Sequence, residues 1–251
     1  MPVDLVEIHT KSALVRSGIP GIDFVINPYL GCGHGCGYCY AAFMTKYSHG
    51  HAGARWGSFV EAKVNIADVL AGELSRKRRT GAVLMSSVCD PYQPAERRYK
   101  LTRRCLELLL RAGWKVDILT RSPLVFRDVD LLVSPRVSVG LSVPTDDDRV
   151  RRALEPAAPP IGSRLVVLKK LKDAGVDTWA FIAPLLPMNP EALYKALSPL
   201  VGSVLIDPLN YRSQSEWLLR RHGLEQALTD DFARGTAAKL KELFGAKAKR
   251  A

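Results

Sequence analysis

An α/β fold with a parallel sheet is predicted by three features: short β-rich apolar runs recur six times, helical patterns fill the intervals, and the connections are brief. The runs are Phe24 to Asn27, Ala82 to Val88, Val116 to Thr120, Val137 to Val143, Thr178 to Pro184 and Ser203 to Asp207. Such alternation implies right-handed crossovers, which leaves an open doubly wound sheet or a barrel. Six strands in 251 residues favour a partial barrel.

The helices follow from spacing. After Asn65, a predicted N-cap, Ile66, Val69, Leu70 and Leu74 share one face. Leu101, Cys105, Leu108, Leu109 and Ala112 do the same and end at Gly113, which gives Cys105 a place in a helical core. A third helix runs from Ser163 through Leu165, Leu168 and Leu171 to Gly175. Glu155-Pro156-Ala157-Ala158-Pro159-Pro160 reads as a loop on the rim of the sheet. Trp217 to Phe244 reads as helices covering the barrel opening, followed by a frayed basic end. No linker or repeat divides residues 1–251, so one domain is expected, with a core of about 22–210 and a helical segment at 211–251.

Lys and Arg number 36 against 25 Asp and Glu, a net charge of +11 that suits a polyanionic partner. The stretch from Thr236 to Ala251 contributes Lys239, Lys241, Lys247, Lys249 and Arg250 against Glu242, and most of the excess lies elsewhere. Runs such as Arg76-Lys77-Arg78-Arg79 also suit a solvated helix C-terminus. Trp56 and Trp217 could stack on bases, but the usual burial of Trp makes packing the expectation for both. Asp4 and Glu7 interrupt any targeting segment and no apolar run is long enough to span a bilayer, so a cytoplasmic protein is expected.

Three of the five cysteines, Cys32, Cys36 and Cys39, lie within GCGHGCGYCY at 31–40, directly after the first strand. Sites in parallel α/β folds form at that end of the sheet. Gly31, Gly33, Gly35 and Gly37 are expected to let the loop fold tightly around one inorganic centre. Three thiolates fall one short of the usual four-cysteine set of an iron-sulfur cluster, which leaves one iron open. Zinc competes through Cys32, His34, Cys36 and Cys39, although no second ligand pair follows downstream. His34 suits orienting the loop better than binding metal.

With Tyr38 as its aromatic, C-x3-C-x-aromatic-C resembles the cluster motif of the radical S-adenosylmethionine (SAM) superfamily. Within it the chain is similar to the spore photoproduct lyase-related group, also labelled DNA repair photolyase-like. The resemblance spans about 27–186: Asn27-Pro28-Tyr29, Cys39-Tyr40-Ala41, Lys63-Val64-Asn65, Asp90-Pro91-Tyr92-Gln93-Pro94, Leu119-Thr120-Arg121-Ser122, Leu141-Ser142-Val143-Pro144, Leu154-Glu155-Pro156 and Ala183-Pro184-Leu185-Leu186-Pro187.

The resemblance implies a partial (β/α)6 TIM-like barrel with a C-terminal helical extension. It implies a 4Fe-4S cluster on Cys32, Cys36 and Cys39, with SAM chelating the open iron and yielding a 5′-deoxyadenosyl radical. Ser87 and Asp90 would hold the methionyl ammonium, Arg121 its carboxylate and Ser142 the ribose or carboxylate, with Tyr38 bordering the adenine. Asp90 has a second reading, as the turn-initiating residue before Pro91. Tyr38 and Tyr40 match tyrosines that return hydrogen in the lyase. Cys89 lies one or two positions from the lyase's thiol and is a candidate hydrogen donor beside Tyr40. An external electron donor such as flavodoxin or ferredoxin is implied.

Three functions are compatible with these readings: a lyase-like radical enzyme acting on DNA or RNA, a radical enzyme acting on a small molecule or peptide, and a non-enzymatic metal module that binds nucleic acid.

Overall fold

The computed structural model describes residues 3–250. Eleven strands form two sheets: β1 (Asp4–Ile8), β2 (Val15–Arg16), β3 (Phe24–Ile26), β4 (Tyr29–Leu30), β5 (Phe59–Lys63), β6 (Ala82–Met85), β7 (Lys115–Thr120), β8 (Val137–Ser142), β9 (Asp177–Ile182), β10 (Ser203–Ile206) and β11 (Ala248–Arg250). The helices are α1 (Ile66–Ser75), α2 (Glu96–Tyr99), α3 (Leu101–Arg111), α4 (Val129–Leu132), α5 (Asp148–Leu154), α6 (Ile161–Asp173), α7 (Pro190–Leu197), α8 (Arg212–Arg221) and α9 (Asp230–Phe244).

All six expected strands are present, as β3, β6, β7, β8, β9 and β10, parallel and adjacent in chain order. The larger sheet runs β11-β10-β9-β8-β7-β6-β3-β2 and its two end strands do not pair, so the barrel is partial. Val83, Met85, Val116, Ile118, Val139, Leu141, Ala180 and Ile182 are fully buried along it. Cys105 is buried in the same core, as its helical position predicts. Gly140 on β8 faces Trp179 on β9, where a Cβ would come within 2.4 Å of the indole.

Three expectations are corrected. Asn65 precedes α1 without capping it, because its amide binds the Thr10 main chain at 2.8 and 2.9 Å. The third helix begins at Ile161, earlier than Ser163, and Gly175 beyond its end has φ +83°. The basic end is not frayed: residues 248–250 form β11, parallel to β10, and Lys247 donates to the Ser198 and Val201 carbonyls. Those carbonyls lie at and beyond the C-terminus of α7, where a cation is favoured.

A small sheet, β1-β5-β4, brackets the cysteine loop. Leu30, two residues before Cys32, pairs with Glu61 on β5. The buried Glu61 carboxylate then takes the segment beyond the loop: His49 through its amide (2.9 Å) and ring (3.1 Å), and His51 at 3.0 Å. His51 also reaches Asp4 on β1 at 2.9 Å and stacks on Phe59. Both ring nitrogens of His51 face carboxylates, so the imidazolium satisfies both.

Hydrogen bonds to Asp4 and Glu61 raise the His51 pKa; burial raises that of Glu61, but hydrogen bonds from His51 and His49 outweigh it and lower it. The His51 contribution is complete below its unfolded value of about 6.5 and is lost as pH rises through the folded value. His51→Gln should lower the melting temperature at pH 6 by about 3–6 °C, from roughly 1.5 kcal/mol for a charge-assisted hydrogen bond. The deficit should shrink towards pH 9; a pH-independent deficit would exclude the charged tie.

Candidate active site

The cysteine loop joins β4 to a 3-10 helix at Tyr40–Tyr47 and lies against the segments that follow β6 and β7. Without a ladder of its own, its backbone must find partners elsewhere. Gly33 N–H donates to the Gln93 side-chain oxygen at 2.8 Å, and the Gln93 amide donates back to the Gly31 carbonyl at 3.2 Å. Gly37 N–H donates to the Leu154 carbonyl at 2.8 Å, while Gly35 and Cys39 close short turns on Cys32 and Cys36. Of the four loop glycines, Gly31 and Gly35 use positive φ, +82° and +56°. A Cβ on Gly31 would lie 2.5 Å from the Phe59 carbonyl, so this position admits glycine alone.

Cys32 and Cys36 are buried, and Cys39 is partly so. Burial raises all three thiol pKa values; charge on Cys36 reinforces this at Cys32, and charge on Cys39 reinforces it at Cys36. Arg121 opposes the rise at Cys36 and Cys39. Three buried soft donors with high pKa values suit a cationic centre that stabilises the thiolates. Among the described residues no three His, Cys, Asp or Glu side chains converge on a single ion. The buried Ser142 hydroxyl and His34 Nδ1 lack hydrogen-bond partners among the described residues, and such groups call for a ligand.

Asp90 initiates a turn, as its second reading anticipates. Its Oδ1 accepts from the Tyr92 amide (2.9 Å) and the Thr120 hydroxyl (2.6 Å), and its Oδ2 from the Arg121 amide (2.8 Å). His34 Nε2 stands 3.3 Å from Oδ2, so the histidine ties the cysteine loop to the end of β6. Burial alone would raise the Asp90 pKa; the His34 charge and these hydrogen bonds instead bring it down to about 2. With both oxygens engaged, Asp90 fixes the loop.

Arg121 donates from Nε to Glu155 at 3.1 Å and from Nη2 to the Tyr38 hydroxyl at 3.3 Å. Glu155 also accepts from Tyr38 and from the fully buried Arg164, which in turn donates to the Ser142 carbonyl at 2.9 Å. Tyr38 and Arg121 thus meet at one carboxylate, and Arg164 links it to the Ser142 main chain. Glu155 and Arg164 escaped the sequence reading, one as a rim-loop residue and the other as an ordinary helical position. The Leu154-Glu155-Pro156 block was the available signal for Glu155.

Around Cys89 the turn after β6 is wrapped by Asn27, whose side-chain oxygen accepts from Ser86 Oγ (2.6 Å), Ser87 N (3.0 Å) and Val88 N (3.1 Å). The Cys89 sulfur lies 3.0 Å from Ser86 Oγ, and burial pushes its pKa up to about 11. Tyr40 donates to the Ser87 carbonyl and stacks on Tyr211, and after burial the charges on Cys39 and Cys89 raise its pKa to about 12. Tyr40 and Cys89 are therefore neighbours. Trp56 packs edge-on against Phe59 as expected, but Trp217 is 62% exposed because α8 turns Ser215 and Leu219 inward.

Removing Glu155 would strand the fully buried Arg164 guanidinium and take the ion-pair partner from the partly buried Arg121. Glu155→Ala should cost about 3–5 kcal/mol, lowering the melting temperature by at least about 6 °C. A melting curve like that of the parent chain would contradict the shared-carboxylate arrangement.

The family model described as the Radical SAM superfamily matches residues 26–198. An uncharacterized protein of Methanocaldococcus jannaschii is 33% identical over 234 residues, covering 92% of this chain and 86% of its own. One from Mycobacterium tuberculosis is 31% identical, over 86% of this chain and 69% of its own. Spore photoproduct lyase with bound AdoMet and dinucleoside spore photoproduct superposes with a TM-score of 0.71 at 13% identity, covering 98% of this chain and 81% of the lyase. Streptococcus suis SuiB bound to precursor peptide SuiA gives 0.52 at 14% identity, over 100% of this chain and 49% of SuiB. The partial barrel is thus the lyase's fold, and with the family model covering most of its length the chain belongs to the radical SAM superfamily, whose enzymes use a 4Fe-4S cluster and SAM.

Proposed function

We propose that this enzyme generates a 5′-deoxyadenosyl radical that abstracts hydrogen from nucleic acid, in a lyase-like repair or modification reaction. The observation that carries the radical chemistry is a trio of free thiols on one loop, Cys32 and Cys36 buried and Cys39 partly buried. Bound there, the cluster supplies the electron that cleaves SAM. Ser87 and Ser142 offer hydroxyls to SAM and Arg121 offers positive charge, with Glu155 holding the guanidinium in place. Asp90 acts indirectly, by fixing His34 and the backbone at Arg121.

Cys89 has the protonation state that a hydrogen-atom donor needs, since a pKa of about 11 keeps the S–H bond intact at neutral pH. On transfer the S–H bond breaks, a C–H bond forms on the product radical and the unpaired electron passes to sulfur. The Tyr40 hydroxyl can then return a hydrogen atom to that sulfur.

Net charge of +11 supports nucleic acid as substrate, and the dinucleoside bound to spore photoproduct lyase extends that reading by analogy. A peptide is the second reading, because SuiB binds one. If nucleic acid is correct, DNA or RNA should raise 5′-deoxyadenosine formation above the uncoupled rate and lose that effect as salt increases. Stimulation by peptides alone would favour the second reading.

For Cys89→Ala, 5′-deoxyadenosine should still form with dinucleoside spore photoproduct as the probe. Product yield should fall at least about tenfold, together with incorporation of solvent deuterium. Unchanged yield and unchanged deuterium would remove Cys89 from the mechanism.

A further inference from the structure

Between Asp23 and Glu61 the chain contains no acidic residue. That interval holds the cysteine loop, the 3-10 helix Tyr40–Tyr47 and the segment returning to β5. In a 3-10 helix residues three apart eclipse one another, so Tyr40, Phe43 and Lys46 stand in a row on one face. The row starts at the residue after the last cluster cysteine. Its rings are exposed, Tyr40 41% and Phe43 43%, and beside the row Tyr47, packed edge-on against Phe43, is 64% exposed. Tyr211, at the start of α8, stacks on Tyr40 and is 53% exposed. Lys46 and Arg55 are exposed in the same interval, and neither forms an ion pair with another described residue.

Isolated surface aromatics need no explanation, but neighbouring exposed rings with cations and no acidic residue in their own stretch of chain have the composition of a surface for single-stranded nucleic acid. Rings stack on base faces, which a duplex covers with neighbouring bases, and cations meet the phosphates between them. We propose that this row is a docking track for an unpaired nucleic-acid strand, with bases on Phe43 and Tyr47, phosphates on Lys46 and Arg55, and the strand directed towards the cluster loop at Tyr40. The inference rests on the nucleic-acid reading above and adds to it the strandedness of the substrate and the path of its approach.

Fluorescence anisotropy with a labelled mixed-sequence ten-nucleotide DNA, single-stranded and as a duplex, tests the track on the anaerobically reconstituted enzyme. The single strand should bind at least about tenfold more tightly than the duplex, and Phe43→Ala and Tyr47→Ala should each weaken it roughly tenfold. Phe43→Trp should retain binding. Lys46→Gln should reduce the slope of log affinity against log salt by about 0.7. Iron content and melting temperature report whether each variant is intact. Preference for the duplex, or unaltered binding by intact Phe43→Ala and Tyr47→Ala, would overturn the track while leaving a nucleic-acid substrate standing. Failure of the parent enzyme to bind either form would overturn both. Displacement of the strand by an acidic peptide, with the peptide losing affinity in the same two variants, would assign the row to a protein partner instead.

Discussion

Backbone amides without partners are costly inside a protein, and a loop that carries three thiols inward has no regular ladder to satisfy them. The rest of the site follows from how this chain meets that demand. Gln93 answers both Gly33 and Gly31, Leu154 answers Gly37, and the remaining turns close within the loop. Because Gln93 follows β6 and Leu154 ends α5, the loop is registered against two separate crossovers of the sheet. The small sheet anchors its approach and its exit on the same strand, through Leu30 and through the histidines on Glu61.

Charge is handled with equal economy. Glu155 serves Arg121, Arg164 and Tyr38, so groups from the cysteine loop, the end of β7 and α6 are positioned by one carboxylate. Asp90 does the same for His34, Thr120 and the Arg121 amide. These two hubs leave the Ser142 hydroxyl without a hydrogen-bond partner among the described residues while fixing the groups around them. Such preorganisation suits radical chemistry, in which the cofactor supplies reactivity and the protein supplies geometry.

The parallel core was legible in the sequence because each of its strands is a compact apolar run and α1, α3 and α6 show apolar residues at helical spacing. Cys32, Cys36 and Cys39 were legible because their spacing is local. What escaped depends on contacts distant in sequence. The β1-β5-β4 sheet contains a two-residue strand with no periodicity to detect, and β11 reads as a basic tail until its pairing with β10 is known. Glu155 lies in a proline-rich segment and looks solvent-facing, yet it is fully buried because two arginines reach it from different elements. Trp217 failed in the opposite sense, since a residue's average burial says nothing about which face of its helix meets the core.

The proposed chemistry requires Cys32, Cys36 and Cys39 to hold the cluster with one iron open to SAM. Electron paramagnetic resonance of the reduced, anaerobically reconstituted enzyme, recorded with and without SAM and alongside metal analysis, tests this most directly. About four irons and four sulfides per chain are expected, with a signal that changes when SAM is added. Zinc in place of iron, or an iron-sulfur signal indifferent to SAM, would contradict it.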